Sequence, residues 1–488
     1  MNSLAPRDAT MYWLSARTRN DLFLLYCFAD SGQSDALLRR TIANRVAGIP
    51  DLLVHVLATP ANIAYPFWAP CEFIDDQFTV HPLPIPTWSN LQAALGELLA
   101  TGLRADRRAW HLHVFREVDD APGFASGESA LVAVLQLSHA LADGRRAAEI
   151  ARALFAEAPV APESAVAERH KSVLSQPMSA AAGLLRRIVP EWVVPGETIT
   201  ACAAAVEALP ELPIGMARTV IRGFAAEGAR RKLAALTSSG IVPQSAPVVP
   251  PNLLNGGGAN PAAHTVRMLV RDANSLRVPG HTVTVVALTA VSLALQRYLA
   301  YRGEPTTPLR AQVPMAVTPN DTDRNSYRDL SVDLATTEPV LRRRAARIAA
   351  DLTTLRQRAE HPLQEAQSHA TAAIPAPILH RNVTGYPIDV LPEQVSGHTV
   401  MSSVHRGPAD LTFAGSPVRF TAGFPALGAV MHLTHGIHGL GNTVTFSIHA
   451  DPDVIPDLDA YAARLDAAIT EVTEALRPAD LEASPQPG

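Results

Sequence analysis

Lysine is almost missing from this chain of 488 residues. Lys171 and Lys232 are the only two, so arginine carries nearly all the positive charge among 41 basic residues, set against 46 acidic ones. No run of five or six basic residues occurs and the net charge is −5. Nucleic acid is therefore not expected as a partner, because phosphate binding needs a concentrated basic surface. Cysteine is scarce as well. Cys27, Cys71 and Cys202 are odd in number and far apart, which fits neither a disulfide framework nor a zinc site and suits a reducing cytosol. The opening MNSLAPRDATMYW lacks the basic-then-apolar layout of a signal peptide. The most apolar long stretch, VTVVALTAVSLALQRYLA (283–300), is interrupted by Thr, Ser, Gln and Arg and reads as a buried helix rather than a membrane span. The expectation is a soluble, cytoplasmic chain.

What is present is ample apolar material. Hydrophobic residues make up 47% and charged residues 18% of the chain, enough for large cores in two or more domains. DLFLLYCFA (21–29) and SALVAVLQLS (129–138) read as buried strands, and RAWHLHVFREV (108–118) as an alternating one. The spacing predicts helices over 34–50, with Ser34 as N-cap, over 144–158, over 283–301 and over 457–477. Between about 159 and 250 alanine and proline dominate, and MSAAAGLLRRIVPEWVV (178–194) reads as an amphipathic helix, either a crossover packed on the domain or a lipid-surface contact. PLRAQVPMAV (308–317) reads as a strand. AVMHLTH and NTVTFSIHA read as two more, joined by a Gly-rich turn at 436–442.

The chemistry-bearing stretch is QLSHALADGRRAAEIARALF (136–155), where His139, Asp143 and Gly144 stand between a buried strand and a helix. In α/β folds ligands bind in the crevice beyond the carboxyl ends of the strands. An imidazole there can take a proton from a hydroxyl or amine attacking a carbonyl. Asp143 could pin the loop by pairing with an arginine, and Gly144 supplies backbone freedom. The structural alternative is a satisfied core histidine followed by a helix-capping Asp-Gly. HLTHGIHG places His432, His435 and His438 at three-residue intervals, but a strand and turn cannot hold that spacing on one face, so no metal is expected. His111 and His113 share a strand face without a third ligand.

SHALADG resembles the His-His-x-x-x-Asp-Gly signature of the bacterial wax ester synthase/diacylglycerol acyltransferase family, within the coenzyme-A-dependent acyltransferases that also include condensation domains. The likeness runs in order along nearly the whole chain. APRDATMYWL (5–14), FIDDQFTVHPLPIP (73–86), RRAWHLHVFREV (107–118), PLRAQVPMAVTP (308–319), RNVTGYP (381–387), FAGSPV (413–418) and FSIHADPDVIPDLD (446–459) each resemble a block of that family. RNVTGYP stands for its S-N-V-P-G-P block. Departures are Ser138 in place of the first His, Thr284 and Val285 in place of an Asn-Asp pair, Arg381 in place of a Ser, and an extra loop at 390–410.

The resemblance implies an α/β fold of two chloramphenicol acetyltransferase-like subdomains meeting along a tunnel. The expected divisions are 1–165 with the catalytic motif, 166–250 as an Ala/Pro-rich helical crossover, and 251–488 as the second subdomain. It further implies His139 as general base and acyl-coenzyme A as co-substrate with no cofactor. Asp143 would be structural, paired with Arg310, while Asn382 and Gly385 would shape the active-site wall and Trp110 is a candidate lining residue of the acyl channel. The acceptor would be a long-chain alcohol or diacylglycerol, met through weak contact with a membrane or lipid droplet. Two alternatives stay open: an acyltransferase using another donor or acceptor, such as a carrier-protein thioester or polyketide hydroxyl, and a catalytically weak lipid-binding homologue.

Overall fold

The computed structural model describes residues 2–157, 227–317, 323–364 and 373–477. The first third of the chain supplies strands β1 (Asn2–Ser3), β2 (Leu22–Ala29), β3 (Val54–Leu57), β4 (Phe67–Pro70), β5 (Phe78–Val80), β6 (Trp110–Val118) and β7 (Ala130–Leu137). The remainder supplies β8 (Thr265–Asp272), β9 (Arg310–Ala316), β10 (Tyr327–Asp333), β11 (Thr399–His405), β12 (Thr412–Phe413), β13 (Ser416–Phe424), β14 (Leu433–Leu440) and β15 (Thr443–Ala450). They form two mixed six-stranded sheets, ordered β12-β13-β2-β7-β6-β5 and β10-β9-β11-β14-β15-β8, and a small sheet β1-β4-β3.

Every residue of β7 is buried, as its unbroken apolar run requires for a strand covered on both faces. Asp143 caps the helix Gly144–Phe155, whose Ala147, Ile150, Ala151 and Leu154 recur at helical spacing and face inward. Phe155 packs between Tyr26 and Phe28 of β2, at ring distances of 5.3 and 5.2 Å. The helix Val283–Tyr301 is the centre of the second core and packs on the helix Leu458–Leu476. By length and composition it could cross a membrane, yet most of it is enclosed by the protein itself. The predicted helix at 178–194 and most of the 166–250 segment lie outside the described residues; residues 227–238 are helical.

Three sequence expectations change. The Gly-rich segment at 436–442 is not a turn: β14 runs through it to Leu440 and only Gly441 and Asn442 make the reversal. Gly436 is needed inside that strand because a Cβ there would overlap the Gly423 carbonyl of β13. The stretch 390–410 is not an extra loop either, since it contains β11, which pairs in parallel with both β9 and β14. Finally β12 and β13, from the C-terminal part of the chain, join the first sheet, with Thr421 opposite Tyr26 and Ala422 opposite Leu25 of β2. The first sheet is thus built from both halves of the chain.

The helix Trp88–Leu99 also spans the two halves, resting Gly96 on the backbone just before β8. A Cβ at Gly96 would overlap the His264 carbonyl, which is backbone and cannot swing aside. Gly96→Ala should therefore lose stability by about 1–3 kcal/mol, despite the roughly 1 kcal/mol that alanine ordinarily gains over glycine in a helix. Gly228→Ala, in open space, should be neutral or stabilising. Thermal melts of the two variants check the contrast.

Candidate active site

His139 follows β7 and is aimed by a segment of the other half of the chain. Its Nδ1–H donates to Asn325 Oδ1 at 2.9 Å. The Asn325 amide nitrogen spends both hydrogens, on Asp8 Oδ1 at 2.9 Å and on the His139 carbonyl at 2.8 Å. Neither acceptor has a proton to give while Asp8 is ionised, so the amide oxygen must face the imidazole and Nδ1 must carry the hydrogen. Nε2 is left as the basic nitrogen. Burial holds the His139 pKa below its ordinary value, partly offset by the hydrogen bonds to its own backbone and Asn325. Asp8 is pushed up to about 6 by burial, against the opposing effect of hydrogen bonds from Asn325 and the Arg324 amide.

Asp143 is tied to the same segment. One carboxylate oxygen accepts from the Arg146 amide at 2.9 Å, capping the helix. The other accepts from the Ser326 amide at 2.8 Å, and the Asp143 amide donates to the Arg324 carbonyl at 3.1 Å. The expected pairing with Arg310 is therefore wrong: backbone amides occupy the carboxylate and no cation is required. Arg310, at the start of β9, donates instead to the Ser331 hydroxyl at 2.8 Å and carbonyl at 2.5 Å, and lies 3.8 Å from Asp351. The arginine that does serve this corner is Arg324. It pairs with Asp51 at 2.8 Å, which also holds Arg146 at 2.9 Å, and lies over the Trp68 ring.

A cavity of about 320 Å³ opens beside His139 between the two sheets. Phe23 and Leu24 of β2, Gln312 and Pro314 of β9, Tyr327 of β10, Ser402, Ser403 and Val404 of β11, and Phe424 of β13 contribute to its wall. Tyr327 stands 6.0 Å from the imidazole with Arg7 over its ring, and burial pushes its phenol up to about 12. Thr284, at the head of the buried helix, meets the Ser403 hydroxyl at 3.1 Å. Gly144 lines the cavity with an ordinary helical backbone rather than a special one: a Cβ there would only touch Val404 at 3.8 Å.

Asn382 and Gly385 do not line this cavity. They are exposed at the end of the helix Ala376–Thr384, which packs on the helix Pro6–Ser15. Their place in the wall is taken by the run SSVHRGP (402–408), a second stretch with the Ser-x-Val and Gly-Pro features of the motif sought at 381–387. Trp110 is fully buried and is not among the residues lining the His139 cavity, its indole donating to the Leu52 carbonyl at 2.7 Å and stacked on Phe73. The three histidines of HLTHGIHG separate. His432 pairs with Asp451 at 3.0 Å, a carboxylate not foreseen from the sequence, His435 bonds Tyr461 at 2.7 Å, and His438 faces the cavity. No group of three side chains suited to a metal ion occurs among the described residues. Asn325 and Asp8 were missed as site residues. The available signals were the acid within APRDATMYWL and an Asn-Ser shortly after the LRAQVP strand.

Comparison with known proteins places the fold. Residues 4–240 fit the wax ester synthase/diacylglycerol acyltransferase catalytic domain and residues 327–473 fit the WS/DGAT C-terminal domain. The fold is similar to the wax ester synthase/diacylglycerol acyltransferase from Marinobacter aquaeolei VT8, with 17% identity over 97% of this chain and 100% of that one, and a TM-score of 0.59. It is also similar to a variant of the starter condensation domain of rhizomide synthetase RzmA in complex with C8-CoA, with 12% identity, coverage of 98% and 96%, and a TM-score of 0.52. The first condensation domain of the calcium-dependent antibiotic synthetase, in complex with a substrate analogue, gives 14%, 98% and 96%, and 0.51. With both of the family's domains matched in order and the two-sheet fold shared, the chain belongs to the wax ester synthase/diacylglycerol acyltransferase family and is an acyltransferase.

Proposed function

We propose that the enzyme moves a fatty acyl group from coenzyme A to the hydroxyl of a long-chain alcohol or diacylglycerol, with His139 as general base. The observation that carries this reading is the imidazole's orientation: Nδ1–H is committed to Asn325, so Nε2 keeps its lone pair. Nε2 takes the hydroxyl proton as the oxygen attacks the thioester carbonyl. The C–O bond forms, the C–S bond then breaks, and the same proton leaves with the coenzyme A thiolate. A thioester is reactive enough that a base, orientation and oxyanion stabilisation suffice, so no prosthetic group is required. Tyr327, Ser402 and Ser403 are the hydroxyl donors on the wall suited to the developing oxyanion. A lipophilic acceptor would arrive through weak, reversible contact with a membrane or lipid droplet.

A second reading places the acyl group on a carrier protein, and the likeness to condensation domains favours it. Thiol release from long-chain acyl-coenzyme A, with and without a long-chain alcohol, separates the two.

His139→Ala should stay folded and lose about 10²–10⁴-fold in transfer rate, the usual worth of a positioned base. Ser138→Ala should lose far less. Equal losses in the two variants would refute the assignment. Asn325→Ala should also be slow, with an altered pH–rate profile, because the imidazole loses the partner that fixes its tautomer. A rate and pH profile like the parent's would remove Asn325 as the positioning residue.

Asp8 gives a pH prediction with a definite sign. Its carboxyl titrates near 6 in the folded protein, against an ordinary 3.8. Between those values the folded chain holds a proton that the unfolded chain lacks, so this group's contribution is full below the lower value and is lost as pH rises through about 6. Asp8→Asn removes that dependence. Relative to the variant, the parent's melting temperature should be higher at pH 5 than at pH 8, as differential scanning fluorimetry across that range would reveal.

A further inference from the structure

Arg406 closes one wall of the His139 cavity without a countercharge. The residue follows β11 and is only 6% exposed. Its Nη1 donates to the Thr421 hydroxyl and to the Ala422 carbonyl, the latter at 2.8 Å, and its guanidinium carbon lies 5.4 Å from the Tyr26 ring centre. Nε has no hydrogen-bond partner, the Tyr26 hydroxyl is the titratable group acting on the guanidinium, and no carboxylate pairs with it among the described residues. His438 of β14 stands beside it, 5% exposed, with Nδ1 unpartnered. Both side chains line the cavity that His139 lines.

The surrounding backbone is shaped to admit these two groups. A Cβ on Gly423 would lie 2.6 Å from Arg406 Nη2 and 2.8 Å from His438 Cε1. A Cβ on Gly436 would lie 2.6 Å from His438 Cε1. Gly423 of β13 therefore gives up a side chain where an arginine and a histidine reach the cavity wall. A buried cation with no anion is costly, and breaking or omitting a partner leaves that cost uncompensated. An arginine fork matches a carboxylate in both charge and geometry.

We propose that Arg406, assisted by His438, is a subsite for a carboxylate carried by one of the two substrates. The proposal rests on the acyltransfer reading above and narrows it: the acceptor is a hydroxy acid, or the donor is a thioester whose acyl chain ends in a carboxylate. The reacting hydroxyl and thioester stay at His139 while the acid end is held at the seam between β11, β13 and β14.

The test has two arms, both read as thiol release. In one, a single acyl-coenzyme A is paired with an ω-hydroxy fatty acid or its methyl ester. In the other, a long-chain alcohol is paired with an ω-carboxyacyl- or plain acyl-coenzyme A of equal length. The parent should prefer the acid in one arm by about tenfold or more in kcat/KM, the worth of a hydrogen bond to a charged group. In Arg406→Met that ratio should fall towards one, and Arg406→Lys should keep part of it. A parent with no preference in either arm overturns the proposal, as does a preference that survives Arg406→Met. If Arg406→Met fails to fold, the parent's ratios alone decide. If no pair releases thiol, the acyltransfer reading has failed and the subsite is judged by thermal shift. Stabilisation of the parent by the hydroxy acid but not its methyl ester, or by the ω-carboxyacyl- but not the plain acyl-coenzyme A, supports it, and equal shifts within both pairs overturn it.

Discussion

Three consecutive residues, Arg324, Asn325 and Ser326, hold the candidate site together. They arrive from the second half of the chain and bond to Asp8, His139 and Asp143 of the first. The backbone of this segment does as much as its side chains: the Arg324 amide meets Asp8, its carbonyl meets the Asp143 amide, and the Ser326 amide meets the Asp143 carboxylate. Hydrogen bonds to charged groups each contribute about 1.5–3 kcal/mol, so the segment is a substantial part of a stability that for most domains totals about 5–15 kcal/mol. Orientation of the His139 imidazole and attachment of the two halves are the same set of contacts. Loosening one loosens the other.

The cavity follows from that attachment. It lies where β9, β10 and β11 of one sheet face β2 and β13 of the other, and its walls come from both. Since β13 belongs in sequence to the second half and in space to the first sheet, the chain itself crosses between the two walls, from Phe424 of β13 to Leu433 of β14. Small residues at the crossing, Gly423 and Gly436, let the strands approach closely and leave room for Arg406 and His438.

Much of this was legible in the sequence, and the failures have physical causes. The buried strand before His139 and the capped helix after it were readable because continuous apolar residues and a helical period rarely coincide with anything else. The partner of Asp143 was misread because a buried carboxylate suggests a cation, whereas two backbone amides satisfy it equally well, and amides carry no sequence signature. Asn325 was invisible for a related reason: it sits in the polar stretch DTDRNSYRD, where nothing local distinguishes a residue reaching across the fold from one facing water. RNVTGYP, with Asn382 and Gly385, looks like the family's wall motif, while the run that fills that place, SSVHRGP at the end of β11 and just beyond it, lacks the motif's asparagine. The segment at 436–442 was read as a turn because glycine usually signals one, but here glycine marks a close approach of two strands.

The position of β13 has a consequence for how the chain is made. In the finished sheet β2 lies between β7 and β13, and its sequence, LFLLYCFA, is almost entirely apolar. On a ribosome β7 emerges early, but the strand that covers the other edge of β2 ends only at Phe424. At about 5–20 residues per second, that edge waits on the order of tens of seconds with its amides and carbonyls unpaired. An open, apolar sheet edge is a template for pairing with other chains. The strand at the centre of the finished sheet is thus an edge strand for most of the time the chain takes to be made.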